Sequence, residues 1–204
     1  MQNTFKIKEA LSFAWKKMLE NFWFLVLLTL GFMVVAGLLD KSGSTRSLDV
    51  LSQLLGLILS YFAMFTFVRL GLKIYKGHKP TWNDVIEFDL GLFGMYVFGA
   101  IIFTISYIVG FVLLIIPGII VLVRFGFFAF AIIDNKLMPI KAIKKSLEMT
   151  RGQFWHLLGF GFVLGLINLL GALALGIGML ITAPLSIIAT AYVYEKLKVT
   201  EKSA

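Results

Sequence analysis

The chain has 204 residues, of which 59% are hydrophobic and only 15% are charged. A soluble globular chain averages roughly 45–50% apolar and about 25% charged residues. The composition, with a mean hydropathy of +0.93, therefore excludes a disordered chain, a coiled coil, a collagen-like chain and an ordinary soluble enzyme. It indicates a protein surrounded largely by lipid. Cysteine is absent from the sequence, which excludes disulfides and thiolate metal sites.

Apolar blocks along the chain predict six transmembrane helices. A helix rises about 1.5 Å per residue, so roughly 20 apolar residues cross a hydrocarbon core of about 30 Å. The tracts 91–133 and 154–194 are each too long for one crossing and are divided in two. Pro117-Gly118 divides the first tract, because Pro-Gly is a strong turn signal, although a turn nearer Gly110 would give two more equal spans. The predicted spans are 22–39, 51–75, 91–116, 119–133, 154–173 and 177–194.

A segment with one apolar and one charged face precedes each pair of spans. These interfacial segments are 4–20, 80–90 and 138–151. The first and third align at an offset of 132 residues, where Asn21-Phe22-Trp23 matches Gln153-Phe154-Trp155. The sequence therefore predicts an all-α, polytopic membrane bundle of six transmembrane helices in three hairpins, each preceded by a cytoplasmic interfacial amphipathic helix. Residues 1–204 form a single membrane domain in this interpretation. The alternative to an internal repeat is that every such helical hairpin carries Lys and Trp residues where its helices enter the membrane.

Positive charge is distributed very unequally between the two sides of the predicted bundle. Fifteen Lys and Arg residues fall on the side of the termini, against two, Lys41 and Arg46, on the other. The positive-inside rule then places both termini in the cytoplasm. Aromatic anchors are expected at the cytoplasmic interface, and the four tryptophans fall there: Trp15, Trp23, Trp82 and Trp155. Cations spread along membrane edges predict contact with lipid headgroups and no nucleic-acid binding.

Two stretches carry a resemblance to a known family. They are IPGIIVLVRFGFFAFAIID at 116–134 and MPIKAIKKSLEMTRGQFW at 138–155. The region resembles poorly characterised prokaryotic multi-pass membrane proteins similar to the membrane domain attached to some glycerophosphodiester phosphodiesterases. The resemblance implies a six-helix membrane domain in a prokaryotic inner membrane. It implies no activity, because the phosphodiesterase chemistry belongs to a separate soluble domain outside this sequence.

Two arginines within apolar blocks, Arg124 and Arg69, are the candidate binding residues. An Arg at a span centre costs about 2.5–3.5 kcal/mol on insertion scales, so its presence requires a reason. Arg124 is expected to lean toward the turn between spans three and four, where it would cap carbonyls or reach outer headgroups. The functional alternative is contact with a lipid phosphate or an anionic substrate. Arg69 leans away from the nearer surface, which favours a partner inside the bundle.

Small and polar residues in the last two spans predict contacts between helices. Gly161 and Gly165 form a GxxxG pair that is expected to pack within the last hairpin, with a dimer face as the alternative. Asn168 is expected to hydrogen-bond between helices. No catalytic or metal-binding motif is present, and His78 and His156 lack metal-ligand spacing. We therefore expect no enzyme activity, no cofactor and no metal.

The sequence leaves two functional interpretations. The first is a non-catalytic accessory or scaffold factor of the inner membrane. Its partners would be membrane lipids, with anionic headgroups at the cytoplasmic leaflet, a membrane protein or a second copy of the chain. The alternative is a transporter or channel component for a small anionic solute, which repeats and helix breaks would favour.

Overall fold

The chain folds into helices throughout the residues that the computed structural model describes, which are 5–40, 46–174 and 176–202. The predicted all-α class is confirmed. Lys41 of the predicted outer loop and residue 4 of the first interfacial segment lie outside the described residues. The helices are α1 (Ile7–Glu20), α2 (Phe22–Asp40), α3 (Arg46–Tyr75), α4 (Trp82–Ile86), α5 (Leu90–Leu113), α6 (Ile115–Phe125), α7 (Phe128–Asn135), α8 (Pro139–Met149), α9 (Phe154–Leu173) and α10 (Met179–Lys202).

Five segments in the described residues are long and apolar enough to cross a membrane. They are Phe22–Leu39, Val50–Tyr75, Leu90–Leu113, Ile115–Asn135 and Phe154–Leu173. Each buries at most 39% of the residues in its most apolar window, so most of its surface faces outward. An outward apolar surface of this extent fits a multi-pass membrane protein and not a water-soluble bundle.

Most of the predicted sixth span, 177–194, lies within α10, which begins at Met179, but the span is not among these five segments. Helix α10 continues past the predicted end to Lys202, and its last turns carry Glu195, Lys196 and Lys198. These charges, together with Pro184 inside the helix, lower its apolar character relative to the other long helices.

The break between the third and fourth candidate spans lies at Leu114, between the two positions considered from the sequence. Leu114 has an extended backbone (φ −167°, ψ 150°), and α6 begins at the next residue. Pro117 therefore occupies the first turn of α6, where its missing N–H has no helical partner to lose. Gly118 serves close packing, because a Cβ there would lie 2.0 Å from Cδ2 of Phe111.

The fourth candidate span is itself interrupted between α6 and α7. Ser146 of α8 bridges this interruption: its hydroxyl donates to the carbonyl of Arg124 at 2.6 Å and accepts from the amide of Phe127 at 3.2 Å. Thr150 Oγ1 lies 3.5 Å from the same carbonyl. Backbone groups that leave a helix inside a membrane need such partners, so α8 completes the broken span.

Helix α10 lies at the centre of the bundle. It packs against α1, α2, α3, α8 and α9, and its residues Ile188, Ala189, Ala191, Val193 and Tyr194 are buried. The buried face of α1 consists of Ala10, Ala14 and Met18, and small side chains allow α1 and α10 to approach closely. The core therefore concentrates where α10 meets α1, the end of α3, and α7 and α8. The predicted segment 80–90 contains only the short helix α4.

Candidate functional site

Three cations lie on one face at the C-terminal end of α3, two within the helix and Lys76 directly after its last residue, Tyr75. Arg69, Lys73 and Lys76 follow at intervals of four and three residues, which places them within about one-sixth of a helical turn. Each of the three binds a carboxylate from outside α3. We call the end of the bundle that contains Lys76, Asp134 and Lys198 the charged end.

Arg69 binds Glu87, which follows α4. Its Nη1 donates to the backbone carbonyl of Glu87, and its Nη2 lies 3.3 Å from Glu87 Oε2. The sequence favoured a partner inside the bundle, but Glu87 lies outside the five candidate spans. The reason is that the segment after α4 folds back beside α3, a long-range contact that helix direction alone does not reveal. The guanidinium of Arg69 is thus paired within the chain.

Asp84 is a buried carboxylate at the start of α4. It accepts hydrogen bonds from the Thr81 amide at 2.8 Å and the Thr81 hydroxyl at 2.9 Å, and it pairs with Lys73. Burial raises the pKa of the Asp84 carboxyl, but the hydrogen bonds from Lys73 and Thr81 outweigh it and lower the pKa below its ordinary value. The carboxylate is therefore charged at neutral pH and fixes α4 to the end of α3.

Asp134 is the most enclosed charge of the candidate spans, with a side chain only 2% exposed. It accepts from Lys76 Nζ at 2.6 Å, from the Tyr194 hydroxyl at 3.2 Å and from Lys198 Nζ. The hydrogen bond to Asp134 raises the pKa of Lys76 above its ordinary value. Asn135 Nδ2 in turn donates to Tyr194 Oη at 2.8 Å. This network ties α3, α7 and α10 together.

Sequence reasoning excluded Asp134 as a partner of Arg124 but did not identify its lysine partners. An available sign was its position, since it ends a long apolar run. A carboxylate at such a boundary is costly to bury unless cations meet it. Which cations meet it depends on the contact of α7 with α3 and α10.

Arg124 lies at the end of α6, and its Nη2 donates to the carbonyl of Leu147 in α8 at 3.2 Å. The expectation that it caps carbonyls at the turn between α5 and α6 is wrong. The physical reason is the early end of α6 at Phe125, which brings α8 beside Arg124, whereas the α5–α6 turn is about two and a half helical turns away.

Arg124 also lines a cavity of about 360 Å³. The other lining residues are Ile120, Thr150, Arg151, Gly152 and Phe154. A second cavity, of about 400 Å³, lies between α6 and α9 and is lined mainly by apolar side chains. No group of three or more His, Asp or Glu residues able to hold a metal occurs in the part of the chain that the structure describes.

The four predicted anchors all have at least half of their surface exposed. The exposed fractions are 50% for Trp15, 74% for Trp23, 52% for Trp82 and 79% for Trp155. Trp82 packs beside Phe24 of α2, with ring centroids 4.8 Å apart. The start of α9 lies beside the start of α1, because His156 Nε2 lies 2.7 Å from the carbonyl oxygen of Phe5. The exposed indoles thus lie at the starts of α2, α4 and α9 and midway along α1.

Gly161 and Gly165 are not in contact with a neighbouring helix in the described residues, since a Cβ at either would meet no atom within 4 Å. The close approach of α9 to α10 occurs instead at Gly171, where a Cβ would lie 2.4 Å from Thr182 Oγ1. Gly171 lies about 100° around α9 from the GxxxG face, so only one of the two faces meets α10. The predicted hydrogen bond of Asn168 is confirmed: its Nδ2 donates to Ser186 Oγ at 2.7 Å.

Comparison with known proteins gives no relative: no protein-family model matches the chain, and no curated protein or solved structure is significantly similar to it. The resemblance of residues 116–155 to phosphodiesterase-associated membrane domains therefore stays a prediction from the sequence.

Proposed function

We propose that the protein is a non-catalytic, lipid-interacting accessory factor of a prokaryotic inner membrane. In this proposal six helices cross the bilayer in three hairpins, both termini are cytoplasmic, and α1 and α8 lie at the inner interface. The charged end, together with the helix ends that carry the tryptophans, then faces the cytoplasm.

The exposure of all four tryptophans carries the proposal. Indole rings prefer the headgroup level, where their apolar body and their N–H group both find partners. Exposed lysines lie near them, for example Lys16 next to Trp15 and Lys8 about two turns earlier in α1. We call these exposed tryptophans and lysines the rim. The rim suits the anionic inner leaflet, where each cation near the surface adds about 1 kcal/mol of attraction. The carboxylates of Asp84 and Asp134 form ion pairs within the chain. These ion pairs stabilise the bundle and do not involve the exposed lysines of the rim, which can contact lipid.

The composition of co-purified lipid tests this function. The protein is extracted from its native membrane in a mild detergent, and the retained lipids are identified by mass spectrometry. We expect enrichment of anionic phospholipids relative to the whole membrane. Retained lipid with the composition of the whole membrane would contradict the proposal.

The interrupted fourth span supports the alternative, a transporter of a small anionic solute. Transporters commonly bind substrate where a transmembrane helix is broken, and Arg124 lies beside such a break. Ser146 already satisfies the backbone groups at this break, which favours a structural interruption over a substrate site. Uptake of a labelled organic phosphate into proteoliposomes distinguishes the two functions, and we expect none above protein-free vesicles.

A further inference from the structure

The cavity at Arg124 contains two arginines. Arg124 enters it from the end of α6 and Arg151 from the connection between α8 and α9, and neither has a carboxylate within salt-bridge distance among the residues that the structure describes. Arg69, by contrast, is paired with Glu87. Two like charges at one cavity repel each other unless an anion lies between them.

The guanidinium of Arg124 retains most of its donors. Its hydrogen bond to the Leu147 carbonyl uses Nη2, and the planar group has several further N–H donors arranged to bind phosphate or carboxylate oxygens. Arg151 is exposed and Arg124 is half-buried, so the cavity opens from the cytoplasmic rim of our proposed orientation toward the membrane. A phosphate at this position would meet cations from two elements.

The second cavity, between α6 and α9, is an apolar groove lined by residues that neighbour those of the cationic cavity along the chain. Its walls come from α6, with Leu122 and Val123, and from α9, with Leu157, Phe160 and Gly161. Val123 precedes Arg124 directly, and Leu157 lies about one turn beyond Phe154 of the cationic cavity. The open side of Gly161, where a Cβ would meet nothing within 4 Å, widens the groove.

We infer that Arg124 and Arg151 form a binding site for an anionic phospholipid, with the phosphate between the two guanidinium groups and an acyl chain along the α6–α9 groove. The inference rests on the proposed membrane function and specifies its ligand. The apolar groove favours a lipid over a free phosphate ion, because only a molecule with an apolar tail fills both cavities.

The test measures lipid binding to the detergent-purified full chain by native mass spectrometry. Phosphatidylglycerol and phosphatidylcholine are titrated against the wild type, the double variant Arg124→Gln/Arg151→Gln and the matched control Lys8→Gln/Lys16→Gln, which removes two exposed cations of α1. We expect the double variant to lose phosphatidylglycerol affinity roughly tenfold or more, and the control, which weakens only the diffuse attraction of the rim, to lose clearly less. Equal losses in both variants would overturn the site.

A second variant tests the groove. Gly161→Leu fills the groove without a clash of its Cβ, so we expect a folded protein with weakened phosphatidylglycerol binding. Inorganic phosphate is added as a competitor. Full displacement of lipid by phosphate at millimolar concentration, with no effect of Gly161→Leu, would assign the cavity to a free anion and overturn the lipid site.

Two further measurements keep the outcomes distinct. Arg151→Gln alone leaves the bond of Arg124 to Leu147 intact, so it tests the site if the double variant unfolds; a tenfold loss again supports it and none overturns it. Unchanged phosphatidylglycerol binding in a well-folded double variant, while the wild type still enriches anionic lipid from its native membrane, refutes this site and leaves the proposed function standing. A wild type that enriches no anionic lipid refutes the proposed function itself.

Discussion

Single buried charges determine how the charged end is held together. Asp134 has two ammonium partners, Lys76 and Lys198, whose side chains are 46% and 19% exposed. Removal of one member of a buried ion pair leaves the other charge without compensation in a poorly solvated place, and this costs about 3–5 kcal/mol. When Asp134 is removed, water can solvate the half-exposed ammonium group of Lys76, whereas it can solvate the less exposed ammonium group of Lys198 only in part.

We therefore expect Asp134→Asn to destabilise the protein by about 3 kcal/mol, at the lower end of that range. The control is Glu20→Gln, which removes the exposed pair with Lys17 and should leave stability nearly unchanged. Thermal unfolding in detergent, followed by tryptophan fluorescence, measures both. Equal midpoints for the two variants would show that the Asp134 network does not stabilise the bundle.

The buried carboxylate of Asp84 predicts that the free energy of unfolding of the protein decreases at acidic pH. Its folded pKa is lowered, so its ionised form stabilises the fold above the unfolded pKa of about 3.9, and this contribution is lost as the pH falls through the folded pKa. Asp84→Asn should lower stability at pH 7 and flatten the loss of stability between pH 5 and pH 2. Glu9→Gln, in the exposed pair with Lys6, serves as control and should keep the wild-type profile. A wild-type slope in Asp84→Asn would refute this role.

At the scale of helices, breaks and close approaches depend on single partners in neighbouring elements. Within the fourth candidate span, α6 ends at Phe125 and α7 begins at Phe128. The hydroxyl of Ser146 hydrogen-bonds to a backbone group on each side of that interruption. The α9–α10 hairpin depends instead on the absence of side chains at Gly171 and Gly178. The Ser146 contact joins α8 to the break between α6 and α7, and the glycine contact joins α9 and α10 across the turn between them.

Ser146→Ala should destabilise the protein by about 1–3 kcal/mol, because a buried amide and a buried carbonyl lose a partner. Ser106→Ala is the matched control. The Ser106 hydroxyl bonds only to the Ile102 carbonyl of its own helix, so its loss should have little effect. Chemical denaturation in detergent compares the two, and a neutral Ser146→Ala would mean that water or Thr150 replaces the hydroxyl.

Gly178→Ala should lower the stability of the protein, whereas Gly161→Ala should not. A Cβ at Gly178 would lie 2.6 Å from the Gly171 backbone, so the hairpin must open, at a cost of about 1–3 kcal/mol. Gly161→Ala meets no atom and replaces a flexible residue by a good helix former, so stability should stay or rise by up to about 1 kcal/mol. Thermal unfolding of the two variants tests the order, and the reverse order would place the close contact on the GxxxG face.

At the scale of the whole molecule, α10 is both the central helix of the core and the helix whose membrane crossing the composition leaves open. Its 24 residues extend about 36 Å, enough to cross a hydrocarbon core. The charges of its last turns and Pro184 lower its hydropathy, and its central place lets it carry Thr182, Ser186 and Thr190 between neighbouring helices.

Single-cysteine labelling tests the proposed topology, and the native chain has no cysteine to interfere. Lys79→Cys and Lys202→Cys should react with a membrane-impermeant maleimide only from the cytoplasmic side, and Ile177→Cys only from the opposite side. Ile177 is well exposed, so a reagent can reach it. Labelling of Ile177→Cys and Lys202→Cys from the same side would remove the sixth crossing.

The sequence by itself determined the features that depend on local composition. The predicted spans 22–39, 51–75 and 154–173 agree within one residue with the helices long and apolar enough to cross a membrane. Length and hydropathy are properties of a contiguous segment, and in lipid a contiguous apolar segment has the helix as its stable form. The same reasoning found Arg124 and Arg69, because charge within an apolar run is visible without a neighbour.

Only the tertiary structure decided which partners these residues meet. The direction of Arg124 toward α8, the partner of Arg69, the lysines around Asp134 and the use of Gly171 instead of Gly161 all depend on how each helix is rotated about its axis and which helix lies beside it. Hydropathy is nearly uniform around a helix surrounded by lipid, so the sequence contains little information about that rotation.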